Sequence, residues 1–170
     1  TIYDTSDSQA VVKRILKEMN LDEKAFPYRA VLTEISRAKD SGITPEQYLA
    51  RAQATHNPRS IRIGEVYQTY WQRLFSAGAM DFDDLIYNTV RLLDEHEDVR
   101  EHWQRRFRYV LIDEYQDTNN LQYQLAALLA DGWGNICVVG DDDQSIYKFR
   151  GATIENILNF EKQYKNARTI

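Results

Sequence analysis

The sequence contains one cysteine and no long hydrophobic run. The single cysteine, Cys137, excludes an internal disulfide and fits a reducing compartment, so we expect a cytoplasmic protein. No apolar run approaches the roughly 20 residues that a membrane-spanning helix needs, and the opening TIYDTSDSQA lacks the pattern of a secretory signal. Internal repeats and low-complexity tracts are also absent from the sequence. These absences favour a globular protein without a membrane partner.

The chain also lacks the excess of positive charge typical of proteins that bind nucleic acid over their whole surface. It carries 21 Lys and Arg against 26 Asp and Glu, a net charge of −5 at pH 7. This balance still permits a local nucleic-acid site. The acidic excess concentrates in residues 110–170, which contain nine acidic and five basic residues. An acid-rich region suits a bound cation.

Apolar residues recur at helical spacing through about the first hundred residues, which predicts a series of amphipathic helices. Ser6 and Gln9 occupy the positions of a capping box for the first helix. Thr44, followed by a proline and then by Gln47 three positions on, predicts another helix start.

Two longer helices are predicted next. The first spans roughly Ser60 to Ala77, and Gly78 is the residue that stops it. Its expected inward residues are Ile63, Val66, Tyr67, Tyr70 and Leu74. The second begins in MDFDDLIYNTVRLLDEH with Asp81 as its N-cap. Its expected inward residues are Phe82, Leu85, Ile86, Thr89 and Leu93.

The pattern changes near Arg108. YVLID and NICVVGD are short, continuous apolar runs, typical of strands covered on both faces, so we expect Cys137 to be buried. The segment between them, NNLQYQLAALLADG, predicts a helix, and the three together predict a βαβ unit with parallel strands. A further helix is predicted in TIENILNFEKQY, and ARTI could begin a third strand. The predicted fold class is therefore α/β and mostly helical.

Both predicted strands end in acids. Asp113 and Glu114 follow the first strand, and Asp141, Asp142 and Asp143 follow the second. Because parallel neighbours end at the same edge of a sheet, these carboxylates should share one rim. Carboxylates suit Mg²⁺, and a second acid can deprotonate an attacking water. The alternative is structural: the acids only end the strand and cap the following helix.

Two longer motifs carry a family resemblance. LIDEYQDTNNLQ resembles the Walker B motif, and VVGDDDQSIYKFRGA resembles motif III, of the UvrD/PcrA/Rep family of superfamily 1 DNA helicases. MDFDDLI is similar to a family segment where a helical insertion rejoins the motor core. The resemblance implies a helical 1B-like subdomain over residues 1–105. It implies a partial RecA-like P-loop NTPase unit, part of motor domain 1A, over residues 106–170.

The resemblance also implies roles for individual residues. Asp113, together with Glu114, would hold Mg²⁺ through its water shell, and Glu114 would be the catalytic base that polarises the attacking water. Gln116 and Asp117 would link the nucleotide site to neighbouring motifs. Gln144 would contact the γ-phosphate of ATP and report its presence to residues that bind DNA. ATP is the substrate in this reading and Mg²⁺ the cofactor.

The end of the second motif implies contacts with single-stranded DNA. Tyr147 and Phe149 would stack on bases, and Arg150 would hold phosphate. Phe149 stands where the family usually has tryptophan, so weaker stacking is expected. Basic stretches at residues 51–64 and 100–108 could touch duplex phosphates, consistent with a junction of single- and double-stranded DNA as partner.

The resemblance therefore implies an ATP-dependent DNA helicase that translocates 3′ to 5′ in DNA repair or replication. No Gly-x-x-Gly-x-Gly-Lys-Thr/Ser loop is present, so the chain alone is expected to be inactive and to need the remainder of a helicase chain. One alternative is a non-catalytic helical module that binds DNA or protein. Another is a helicase–nuclease subunit of the RecB/AddA kind, for which no nuclease motif is present.

Overall fold

The computed structural model describes residues 1–141 and 160–168 and is mostly helical. The helices are α1 (Thr5–Glu18), α2 (Tyr28–Asp40), α3 (Pro45–Ala54), α4 (Pro58–Ser76), α5 (Phe82–Glu95), α6 (Glu97–Arg106) and α7 (Asn120–Ala130). The strands are β1 (Val110–Ile112) and β2 (Ile136–Val138), with a short 3-10 turn at Tyr115–Asp117. Within these described ranges, no helix is long and apolar enough to cross a membrane.

The chain divides into two compact units, Thr1–Leu85 and Ile86–Ile170. The predicted division between residues 105 and 106 refers to family subdomains and stays a prediction.

The first unit is built on the apolar faces of α1, α2 and α4. All five residues expected inward on α4 are buried, which confirms its predicted face. The helix begins at Pro58, two residues before the predicted start, because Asn57 accepts a hydrogen bond from the backbone N–H of Ser60 at 3.1 Å. Gly78 follows the helix with a φ of +57°, a conformation that favours glycine. The most deeply buried apolar side chains of the unit are Val12, Ile15, Val31, Ile35, Ile63, Val66, Tyr67 and Tyr70.

One predicted helix cap is confirmed and another is wrong. The Thr44 prediction is confirmed: its side chain accepts from Gln47 N at 3.2 Å, and Gln47 Oε1 accepts from Thr44 N at 3.1 Å. The prediction for Ser6 and Gln9 is wrong, because α1 is capped by Asp4. Asp4 Oδ1 accepts from the backbone N–H of Asp7 at 2.8 Å and also from the Ser6 hydroxyl at 2.7 Å. The carboxylate therefore takes the capping position, and the helix begins one residue before Ser6.

The capping box at Thr44 gives a direct stability prediction. Thr44→Ala should lower the free energy of unfolding by about 1 kcal/mol, because the backbone N–H of Gln47 loses its partner at the helix start. Urea titration followed by circular dichroism would measure the loss. Thr33→Ala is the control, since Thr33 lies inside α2, where alanine is the better helix former. Equal losses from both substitutions would contradict a specific role of the cap.

The first unit contains a buried ion cluster. The Lys39 ammonium, 1% exposed, lies 2.7 Å from Asp81 Oδ2 and 2.7 Å from Asp84 Oδ1. The Tyr70 hydroxyl donates to Asp81 Oδ2 at 2.8 Å. Asp81 is also the N-cap of α5, as predicted, because its Oδ1 accepts from the backbone N–H of Asp84 at 2.9 Å. The ion pairs were not predicted from the sequence.

The cluster shifts the pKa values of its two carboxyl groups in opposite directions. Burial favours the neutral form of Asp81, but the charge and hydrogen bond of Lys39 outweigh it and hold the Asp81 pKa below its ordinary value. Burial raises the Asp84 pKa more than the attraction of Lys39 lowers it. The negative charge of Asp81 raises the Asp84 pKa further. One ammonium therefore pairs with two buried carboxyl groups. The stability of this arrangement depends strongly on Lys39.

The predicted inward face of α5 is wrong at three positions. Phe82 is 52% exposed and Leu85 37% exposed, and Thr89 is exposed as well. The reason is Asp84, which turns inward to reach Lys39 and so sets the rotation of the helix. The buried residues then follow at spacings of three: Asp84, Tyr87, Val90 and Leu93.

The second unit contains the sheet. β1 and β2 are parallel, with Leu111 opposite Cys137, and α7 lies between them in the chain, which confirms the predicted strand–helix–strand order. The expectation that both faces are covered is wrong for the described residues. Leu111 is 75% exposed and Cys137 is exposed, so one face of the sheet is open there. Side chains alternate along a strand, and the residues flanking Leu111 and Cys137 are half-buried.

Two other predictions fall largely outside the described residues. Within TIENILNFEKQY, the segment Phe160–Gln163 is helical, and the residues before it are not described. The possible third strand ARTI lies partly outside as well, and residues 167 and 168 have no regular secondary structure.

Candidate functional site at the ends of the strands

The ends of β1 and β2 lie side by side. The parallel register pairs Ile112 with Val138, the last residue of each strand. Backbone hydrogen bonds continue past this pair: Val139 N donates to Ile112 O at 2.8 Å, and Tyr115 N donates to Val139 O at 2.9 Å. The acids that follow the two strands therefore leave the sheet at one edge.

This edge brings together the acids that follow the strands. Asp113, Glu114 and Asp141 are all exposed there. Asp142 and Asp143 lie outside the described residues. The expected shared rim is thus present for one acid pair and for the first acid of the other strand, whereas the catalytic and metal-binding roles of these residues stay predictions.

Gln116 joins the two acidic strand ends. Its side chain is 1% exposed. The amide nitrogen Nε2 donates to Glu114 Oε2 at 2.6 Å, and the amide oxygen Oε1 accepts from the backbone N–H of Asp141 at 3.0 Å. A side-chain amide suits this position because it donates at one end and accepts at the other without carrying charge. The orientation of the Glu114 carboxylate is therefore tied to the end of β2.

A sharp turn presents the acids to solvent. Glu114 has φ +51° and ψ +42°, the left-handed region that non-glycine residues adopt infrequently. Its backbone N–H donates to Asp113 Oδ1 at 3.0 Å, and a 3-10 turn follows at once. The turn leaves Asp113 and Glu114 exposed while Tyr115 and Gln116 are buried. Unusual backbone of this kind clusters at functional sites.

The structural alternative has the acids end the strand and cap the next helix, and its capping part is wrong. Helix α7 is capped by Asn119, whose side chain accepts from Gln122 N at 2.9 Å, while Gln122 Oε1 accepts from Asn119 N at 2.9 Å. Asp117 lies exposed in the 3-10 turn before this cap. The Asn-x-x-Gln spacing was visible in the sequence and could have identified Asn119 as the N-cap.

The rim has the chemistry of a cation site. In residues 1–141 and 160–168, no lysine, arginine or histidine forms an ion pair with Asp113, Glu114 or Asp117. The same ranges contain no group of three or more His, Cys, Asp and Glu side chains that could enclose a metal ion. Mg²⁺ fits such a rim, because it usually takes one or two protein carboxylates and completes its shell with water and phosphate oxygens.

Four of the predicted site residues fall outside the described part of the chain. They are Gln144, Tyr147, Phe149 and Arg150, and their predicted contacts with ATP and DNA stay predictions.

Replacing the bridging amide tests the structure of the rim. Gln116→Leu should lower the free energy of unfolding by about 1–3 kcal/mol, because leucine fills the space but leaves the backbone N–H of Asp141 without its acceptor. Chemical denaturation would measure the change. Gln53→Leu, on the exposed side of α3, is the control and should change stability little. A Gln116→Leu variant as stable as the control would contradict the bridge.

The fold and the site define an α/β protein whose acidic groups are gathered at the ends of parallel strands. Residues 1–165 match the family model described as the UvrD/REP helicase N-terminal domain, and the chain belongs to this family.

Named relatives share this similarity along the whole chain. It is 47% identical over 170 residues to the ATP-dependent DNA helicase PcrA of Bacillus subtilis (strain 168). It is 45% identical over 170 residues to the PcrA proteins of Staphylococcus epidermidis and Staphylococcus aureus. Each alignment covers 100% of this chain and 23% of the relative. The chain thus spans about a quarter of the length of the curated relatives that it matches.

Proposed function

We propose that this chain supplies the water-activating and Mg²⁺-binding carboxylates of an ATP-dependent DNA helicase. The observation that carries the proposal is the Gln116 bridge, which holds Glu114 at the end of one strand against the end of the next. A carboxylate that only ended a strand would not need a buried amide to fix its orientation. The helicase names of the relatives supply the substrate, ATP, and the partner, DNA.

Glu114 is the proposed general base. The Gln116 amide engages its Oε2, and within the described residues its Oε1 has no hydrogen-bond donor and can receive a proton from water. A base held in one orientation accepts the proton of a water that attacks the γ-phosphate of ATP. Asp113 and Glu114 would hold Mg²⁺, which neutralises charge on the phosphates when bound.

The remaining roles rest on the family motifs. Gln144 is proposed to contact the γ-phosphate, and Asp117 to connect the nucleotide site with neighbouring segments. Tyr147, Phe149 and Arg150 are proposed to bind single-stranded DNA by stacking and phosphate contact. The protein would move 3′ to 5′ from a junction with duplex DNA, in repair or replication in the cytoplasm. Residues 1–105 would form the 1B-like subdomain, and residues 106–170 part of the RecA-like 1A domain.

A chimera tests the proposal in a complete enzyme. The 170 residues would replace the aligned segment of Bacillus subtilis PcrA, to which they are 47% identical. We expect the chimera to hydrolyse ATP in a reaction that needs Mg²⁺ and is stimulated by single-stranded oligonucleotides. A folded chimera without any ATP hydrolysis would contradict the proposed role of this chain and favour a non-catalytic binding module.

A further inference from the structure

The first unit contains a groove that the proposed function does not use. It lies between α1, the turn after it and the start of α2, and encloses about 490 Å³. Its apolar lining residues are Ala10, Leu16, Leu21 and Tyr28. Leu21 and Tyr28 are only half-buried, so the groove presents apolar surface that the unit itself does not fill. The groove therefore has a small apolar floor.

The lip of the groove is basic. Lys13, Arg14 and Lys17 line it from the exposed side of α1, and Glu23 is the one acid among the lining residues. In the described part of the chain, Lys13 and Lys17 form no ion pair. Arg14 pairs with Glu18 at 3.1 Å but is 78% exposed, and such pairs contribute little. In a chain with a net charge of −5, this lip is a local positive field.

Two cationic side chains lie over the ring of Tyr28 in the groove. The Lys13 ammonium lies over its ring at 5.6 Å from the ring centre, and the Arg29 guanidinium lies over it at 5.6 Å. The ring is thus engaged by cations instead of standing open for a stacked base. A nucleic-acid backbone would use only the basic lip and leave the apolar floor uncovered, whereas an amphipathic peptide would cover that floor and meet the lip with acidic side chains.

We propose that the groove between α1 and α2 binds an acidic amphipathic segment of a partner protein. Apolar side chains of that segment would cover Ala10 and Leu21. Its aspartate or glutamate side chains would lie against Lys13 and Lys17. The proposal is independent of the carboxylate rim, which belongs to the second unit.

A designed peptide serves as the probe. It has about 14 residues, roughly four helical turns, with leucine on one face and glutamate on the other, and carries a fluorescent label. We expect its fluorescence anisotropy to rise with the concentration of the 170-residue chain and to saturate. The charge-reversed variant Lys13→Glu/Lys17→Glu should bind it at least tenfold more weakly, about 1.4 kcal/mol. Both lysines are exposed, so the variant should keep the helical circular dichroism of the parent.

Three controls make the test specific. Arg37→Glu changes an exposed basic residue on α2 outside the groove and should leave peptide binding unchanged. A peptide with lysine in place of glutamate should not bind. An unlabelled oligothymidine should not displace the labelled acidic peptide from the chain. Saturable binding that Lys13→Glu/Lys17→Glu weakens and Arg37→Glu does not would support the proposal.

Other outcomes would overturn it. Absence of peptide binding, or binding that the double charge reversal leaves intact, removes the groove as a peptide site. Competition by oligothymidine at Lys13 and Lys17 would assign the same surface to nucleic acid. None of these results affects ATP hydrolysis by the chimera, so failure here is distinguishable from failure of the proposed function.

Discussion

Glu114→Gln should reduce the kcat of ATP hydrolysis by the PcrA chimera by about 10²–10⁴-fold, with a much smaller effect on KM for ATP. Glutamine keeps the shape of the side chain and can still pair with Gln116 after rotation of its amide. What it loses is the ability to accept a proton. A steady-state phosphate-release assay at saturating DNA would measure both parameters.

Glu101→Gln is the matched control. It removes the same charge from an exposed position on α6, where Glu101 pairs with Arg105 at 3.3 Å, and should leave kcat unchanged. If Glu114→Gln hydrolysed ATP as fast as this control, Glu114 would not be the base. A rise in KM with kcat unchanged would instead assign Glu114 to nucleotide binding.

Lys39→Met should lower the free energy of unfolding by about 3–5 kcal/mol. Methionine matches the length of the lysine stem but removes the ammonium that lies 2.7 Å from both Asp81 and Asp84. Two buried carboxyls then face each other without a cation. Thermal and urea unfolding of the 170-residue chain would show the loss.

Two companion variants separate the charge effect from simple packing. Arg62→Met breaks the exposed pair with Glu65 and should cost less than about 1 kcal/mol. Adding Asp81→Asn and Asp84→Asn to Lys39→Met should recover much of the stability, because asparagine at position 81 can still cap α5 and no buried charge remains. A Lys39→Met protein as stable as Arg62→Met would show that the cluster contributes little.

The predictions that the structure confirms depend on short segments. The inward face of α4 follows from apolar residues a few positions apart, and the cap at Thr44 from residues three positions apart. The two strands and the helix between them follow from runs of apolar residues with a clear change of period. In each case the residues that decide the structure are neighbours in the chain.

Two of the predictions that failed, the coverage of the strands and the rotation of α5, depend on partners far away in the sequence. The apolar runs predict strands covered on both faces, but Leu111 and Cys137 are exposed, because coverage depends on what packs against the sheet. The apolar residues of α5 predict one rotation of the helix, yet Asp84 turns toward Lys39 and sets another. No periodicity within α5 contains that information.

The sequence by itself determined which segments are helices and strands, where α3 and α5 begin, and that acids follow both strands. Tertiary structure alone decided that Gln116 joins the backbone of Asp141, 25 residues away, and that Lys39 meets Asp81, 42 residues away. Local patterns reflect the free energies of neighbouring residues, which a sequence displays directly. A buried amide or ammonium is placed by the requirement that its partners be satisfied, and those partners become neighbours only when the chain folds.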